Sequence, residues 1–253
     1  MPSKTLVAVK NLSTVVKDGE LAKALPAFQK QVSQDFCGKG GWGIDATLEL
    51  VAKQEKLPTG AWLLGVFDDA DQAGALGYHD LTRYGQPLGK VFARATMEDH
   101  GKWTVTFTHE LLEMLADPNI NLCAFDEVAR RLYAYEVCDA VEADALGYDI
   151  DGVTVTDFVL PGWFEPQHVS KTESFAFKSK VKGPFHLMPG GYISYFDLDG
   201  GGWQQLNARE PVDARGLQRS TAPAGPYSSR PRVGSRRERR RTLTTQWIAS
   251  DAD

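Results

Sequence analysis

One stretch limits the fold of this chain more than any other. Residues 103–118 read WTVTFTHELLEMLADP, an apolar segment wrapped around one histidine and two glutamates. Leu111, Leu112, Met114 and Leu115 recur at the spacing of a helix that must be packed on more than one side. Asp117 and Pro118 close it, because proline disfavours helical backbone in the residue before it. Such a helix needs a core to sit in. The chain is 253 residues long, 42% hydrophobic and 24% charged, enough for one large domain or two small ones and unlike a disordered or fibrous chain. No apolar run reaches the roughly 18 residues that cross a bilayer, so no membrane partner is expected. The first residues, MPSKTLVAVKNLS, lack the apolar core of a secretory signal, so a cytoplasmic location is expected. Cys37, Cys123 and Cys138 contain no CxxC pair and predict neither a disulfide framework nor a cysteine zinc module.

The remaining punctuation predicts alternating strands and helices. Residues 4–12, 46–53, 61–69, 75–82 and 90–97 read as strands, and 61–69 is a continuous apolar run ending in acids, as a buried strand would be. Asp18 is a plausible N-cap for a helix over 19–36. A second helix is expected over 121–142, with a break near Tyr133. Residues 147–164 predict a hairpin turning at Asp151-Gly152 and a following strand, and 183–203 reads as irregular. This pattern predicts an α/β or α+β fold in one domain, residues 1–207.

Charge divides the chain. From Gln204 onward there are ten Arg, no Lys and five acids, a net +5, whereas residues 1–203 carry 18 basic and 28 acidic groups, a net −10. Residues 208–253 are rich in Pro, Gly, Ser and Arg and predict a basic disordered tail. Arg236, Arg237, Arg239, Arg240 and Arg241 would suit an acidic partner. Aromatic residues are not interleaved among them, so no specific nucleic-acid module is indicated.

The chemistry lies in His109-Glu110-Leu111-Leu112-Glu113. On a helix, residues four apart share a face, so His109 and Glu113 point at one spot where a divalent cation would meet an imidazole nitrogen and a carboxylate oxygen. Glu110 occupies the offset at which zinc hydrolases carry the acid that takes a proton from metal-bound water. Downstream, Glu136, Asp139 and Glu142 are spaced three apart, along one helical stripe or a turn, and each could complete a metal site, as could Asp117. His79, beside Asp80, reads as a surface residue of an expected edge strand. Tyr148 and His168 are candidates for polarising a substrate carbonyl. His186 reads as structural, and the acids of Asp149–Asp151 and of FDLDGGG at 196–202 read as turn formers.

The order of these elements resembles the zincin-like metallopeptidases: a mixed sheet, an edge strand beside the cleft, a helix carrying His-Glu-x-x-His, and a second helix carrying a further ligand. The resemblance covers roughly residues 4–142. It implies His109 and Glu136 as metal ligands, Glu110 as general base and Asp139 as the acid that orients His109. Glu142 and Asp117 remain alternative ligands. The departure is Glu113, which stands where the family has its second histidine, giving an HExxE variant. An added anion lowers the Lewis acidity of Zn²⁺ and makes Ca²⁺ or Mn²⁺ more competitive. The implied activity is hydrolysis of a peptide bond in a peptide or protein substrate. The alternative is a non-catalytic metal-binding or assembly protein on the same fold. HELLEMLADP is also similar to segments of phage and bacterial proteins; a phage-encoded protein of this kind would be virion-associated rather than cytoplasmic.

Overall fold

The computed structural model describes residues 4–72, 74–170, 173–208 and the backbone of 244–248. In chain order the elements are β1 (Thr5–Asn11), α1 (Asp18–Lys30), β2 (Ala46–Leu50), β3 (Trp62–Phe67), β4 (Gly77–Leu81), β5 (Pro87–Phe92), α2 (Ala93–Glu98) and α3 (Trp103–Ala116). There follow β6 (Cys123–Asp126), β7 (Arg131–Ala134), β8 (Tyr148–Ile150), β9 (Val153–Val155), β10 (Tyr192–Asp197), β11 (Trp203–Ala208) and β12 (Thr244–Ile248). The fold is α+β. The region expected to be one domain falls into two compact units, the first formed by 1–71, 75–120 and 147–156, the second by 72–74, 121–146 and 157–253. Among the described residues no helix is long and apolar enough to cross a membrane.

The first unit is built on a sheet of order β2-β1-β3-β5-β4, in which β2, β1, β3 and β5 run parallel and β4 pairs antiparallel with β5. The apolar runs explain the order. In β1, Val7, Ala8 and Val9 are consecutive and fully buried, as befits a strand covered on both faces. In β2, Ala46 and Leu48 are buried while Thr47 and Glu49 are exposed, the alternation of a strand at the sheet's rim. Helix α1 begins one residue earlier than the expected cap: Lys17 is the N-cap, and its N–H donates to the Glu20 carboxylate at 2.7 Å. The helix passes at Gln31 into a wider π-helical turn ending at Phe36. Rings join α1 to α3, with Phe28 stacked on Phe107 at 4.4 Å between centroids and Trp103 edge-on to both.

The hairpin β8–β9 also belongs to this unit. Its turn is the expected Asp151-Gly152, both residues at positive φ, with Gly152 N–H donating to Asp149. The buried Gln31 amide donates to Thr156 O at 2.7 Å, and Thr156 N–H donates to the Thr108 hydroxyl of α3 at 2.9 Å. The predicted fifth strand is shorter than expected. It stops at Phe92, and 93–98 is helical, with the Thr96 hydroxyl bonding back to Phe92 O.

In the second unit the order is β12-β11-β10-β7-β6. The helix expected over 121–142 is not formed. Residues 123–126 and 131–134 are the two strands of a hairpin, Cys123 opposite Ala134. Asp126 makes the turn by accepting the N–H groups of Val128 and Ala129, and Arg130 takes a positive φ. The apolar residues there fit a helical period as well as a two-residue one, and antiparallel pairing of β7 with β10 decides for strand. Residues 192–197, read as irregular, are strand β10. The FDLDGGG turn is as expected, Asp197 accepting from the N–H groups of Asp199 and Gly200. The strand expected at the end of 147–164 is replaced by an isolated bridge at Val159 and a 3₁₀ turn at Pro161–Phe164. Of the tail expected to be disordered, 244–248 pairs in parallel with β11. The arginine cluster at 236–241 lies outside the described residues.

Candidate metal centre

Strand β4 ends the first unit's sheet, and α3 packs against β4 and β5. Side chains alternate across a strand, so Gly77 and His79 share one face of β4. That face meets α3, because Gly77 adjoins the Glu110 side chain and His79 meets Glu110 and Glu113. Tyr78 faces the other way and packs on Phe92. Opposite His79 in the β4–β5 ladder is Gly89.

On α3 the spacing read from sequence has its expected consequence. His109 Nε2 stands 3.3 Å from Glu113 Oε2, four residues on. The same Glu113 oxygen is 3.5 Å from His79 Nδ1, and His79 Nδ1 is 3.8 Å from Glu110 Oε2. His79 was read from sequence as a surface residue. It is instead 9% exposed, alongside Glu110 at 6% and Glu113 at 3%. The local sequence places His79 and Gly77 on one face of the strand, but it does not say which face α3 covers.

Two carboxylates buried this closely settle into different states. Burial pushes the Glu110 carboxyl above its usual range, against the pull of His79 and His109. Burial acts on Glu113 in the same direction, but the charge and hydrogen bonds of His109, with those of His79, outweigh it and hold Glu113 well below the usual carboxylate range. Groups whose environments drive their titrations apart are the ones that divide an acid–base role from an anionic one. Removing an ion from water costs several kcal/mol unless a partner compensates it, and His109 and His79 are the partners that face Glu113. His79, Glu110 and Glu113 each offer a ligand atom within 4.8 Å of the others, and this group could hold a metal ion. Imidazole and carboxylate donors fit zinc and other divalent cations.

The other residues singled out in the sequence are placed as follows. Asp117 is buried in the residue after α3, its N–H donating to Glu113 O. Glu136, Asp139 and Glu142 belong to the second unit and share no helix: Glu136 is buried two residues beyond β7, Asp139 is buried at the start of the 3₁₀ turn Asp139–Val141, and Glu142 is half-buried after it. The Tyr148 hydroxyl is engaged by Asp35 at 2.8 Å and by the Gln31 amide at 3.2 Å. His168 pairs with Glu165 at 2.9 Å, and the His186 carbonyl accepts from the Trp163 indole. No protein-family model, no curated protein sequence and no solved structure matches this chain.

Proposed function

We propose that the protein is a metal-dependent hydrolase acting on peptide bonds, with a divalent cation, zinc first, held by His109 and Glu113 of α3 and with Glu110 as the proton-transfer group. The observation that carries this reading is the approach of His109 Nε2 to Glu113 Oε2 at 3.3 Å across one helical turn, with the Glu110 side chain of the same helix against Gly77 of β4. The succession of a mixed sheet, an antiparallel edge strand and then the helix bearing His-Glu-x-x-Glu also supports it.

When bound, the cation supplies Lewis acidity to a carbonyl and lowers the pKa of water. Glu110 accepts a proton from the attacking water as the C–O bond forms and returns it to the nitrogen as the C–N bond breaks. Burial raises the affinity of Glu110 for a proton, the direction that suits such an exchange. Strand β4 has a strand neighbour on one side within its sheet, and an extended peptide aligned beside it would bring its backbone close to α3.

The test is metal analysis of the untagged chain purified without added metal or chelator, together with peptidase assay of the wild type and Glu110→Gln. Near-stoichiometric zinc, turnover by the wild type and none by the variant would support the reading. A chain that binds no divalent ion overturns it. The depth of burial of Glu110 and Glu113 favours a second reading, a structural metal site, for which the same assay would return bound metal without turnover by the wild type.

A further inference from the structure

The His109–Glu113 pair is not the whole of the donor cluster. His79 Nδ1 stands 3.5 Å from Glu113 Oε2 and 3.8 Å from Glu110 Oε2. Each of these three residues offers a ligand atom within 4.8 Å of the others, a set that takes in Glu110 and not His109. Strand and helix place it jointly. Backbone pairing with Gly89 fixes His79 in the β4–β5 ladder. Glu110 and Glu113, three residues apart, are neighbours on α3. Gly77, on the same face of β4 as His79, leaves the space that the Glu110 carboxyl fills: an added Cβ there would lie 2.6 Å from Glu110 Oε1. All three side chains are more than nine-tenths buried.

We propose that His79, Glu110 and Glu113 form a second site for a divalent cation, separate from the one at His109 and Glu113, and that filling it inhibits the hydrolase. The inference rests on the metal-centre reading above. Reach allows it. An ion about 2.1 Å from each of two donors spans donors up to roughly 4.2 Å apart, and both nitrogen–oxygen separations fall inside that limit, at 3.5 and 3.8 Å. Charge allows it too, since one imidazole and two carboxylates cancel the charge of Zn²⁺ or Mn²⁺, and both ions accept such donors. Glu113 is common to the two sites, and neighbouring cations repel, so the sites fill in succession as metal is added. The consequence falls on Glu110. A carboxylate whose lone pairs bind a cation no longer accepts a proton from water. The second ion therefore removes from the reaction the group that α3 supplies for proton transfer.

The experiment is equilibrium dialysis of the full, untagged chain against zinc and, separately, manganese, counting bound metal in the wild type, His79→Ala and His109→Ala. Turnover of the wild type is followed over the same range of zinc. The expected result is two equivalents in the wild type and one in each variant, with turnover at least about 100-fold lower when two are bound than when one is, the scale of a lost acid–base group. A single equivalent in the wild type overturns the proposal without requiring either variant to fold, and the metal-centre reading survives if His109→Ala removes that equivalent. Two equivalents retained by a folded His79→Ala overturn the assignment to His79. Two equivalents with undiminished turnover overturn the inhibitory role. A wild type that binds neither ion removes the metal-centre reading and the proposal with it.

Discussion

Gly77 and Glu110 are in such close approach that no other residue fits between strand and helix: a methyl group on Gly77 would stand 2.6 Å from Glu110 Oε1 and 2.8 Å from its Cγ. Nor can the strand yield easily, since the same methyl would be 2.9 Å from Lys90 O on the neighbouring strand. The absence of a side chain at position 77 thus sets where the Glu110 carboxylate rests. Gly77→Ala should move that carboxylate and cost about 1–3 kcal/mol through overpacking. Zinc content should hold, because His109 and Glu113 are untouched, while turnover falls. Thermal unfolding, metal analysis and peptidase assay on one preparation check all three.

Glu110→Gln keeps the shape of the side chain and removes its capacity to exchange a proton. Turnover should fall by about 10²–10⁴-fold, the usual contribution of a positioned acid–base group. Bound zinc should remain near the wild-type level. Parallel metal analysis and steady-state kinetics make the measurement.

A cation bound in the folded cluster and not by the unfolded chain stabilises by mass action. Free zinc at 100 times its Kd should add about 2.7 kcal/mol, and a chelator should remove it. Thermal unfolding with and without EDTA checks this, with His109→Ala as the variant in which the metal-dependent difference should shrink.

Asp68 gives the acid limb of stability. Just beyond β3, it accepts hydrogen bonds from the Ser13 hydroxyl at 2.5 Å, the Thr14 hydroxyl at 2.6 Å and the N–H groups of Thr14 and Val15, and it pairs with Arg94 of α2 at 3.0 Å. The serine and threonine hydroxyls lead in holding its carboxyl far below the ordinary range. A depressed folded pKa contributes stability that is complete above the unfolded value, about 3.9, and that is lost as pH falls through the folded one. Denaturant titrations from pH 6 to pH 2 should show a loss below about pH 4 that is smaller in Asp68→Asn.

Tyr148 tests whether the hydroxyl read from sequence as an electrophile has that role. Its engagement by Asp35 and Gln31 assigns it to holding the β8–β9 hairpin on the helix that follows β1. Tyr148→Phe should cost about 1–3 kcal/mol, the range for leaving a buried hydrogen-bonding group without its partner, and leave kcat unchanged. A stability curve and a kinetic assay separate the two roles.

Sequence alone determined the elements whose signal is local. The apolar runs at 4–12 and 61–69 specified strands, the second of them buried, the alternation at 46–53 a further strand, Asp151-Gly152 a hairpin turn, and the i,i+4 spacing the meeting of His109 with Glu113. Each follows from a period of two or 3.6 residues or from the backbone freedom of a glycine. Tertiary structure decided what rests on partners distant in the chain. Residues 121–142 carry an apolar pattern that two periods satisfy, and pairing with β10 made them a hairpin, which removed the helical stripe once expected to align Glu136, Asp139 and Glu142. His79 is buried beside Glu110 and Glu113 because antiparallel pairing with β5 turns it toward a helix about 30 residues later. A strand's own pattern shows that its two faces differ, but which face a distant helix will cover is settled only when the sheet has assembled.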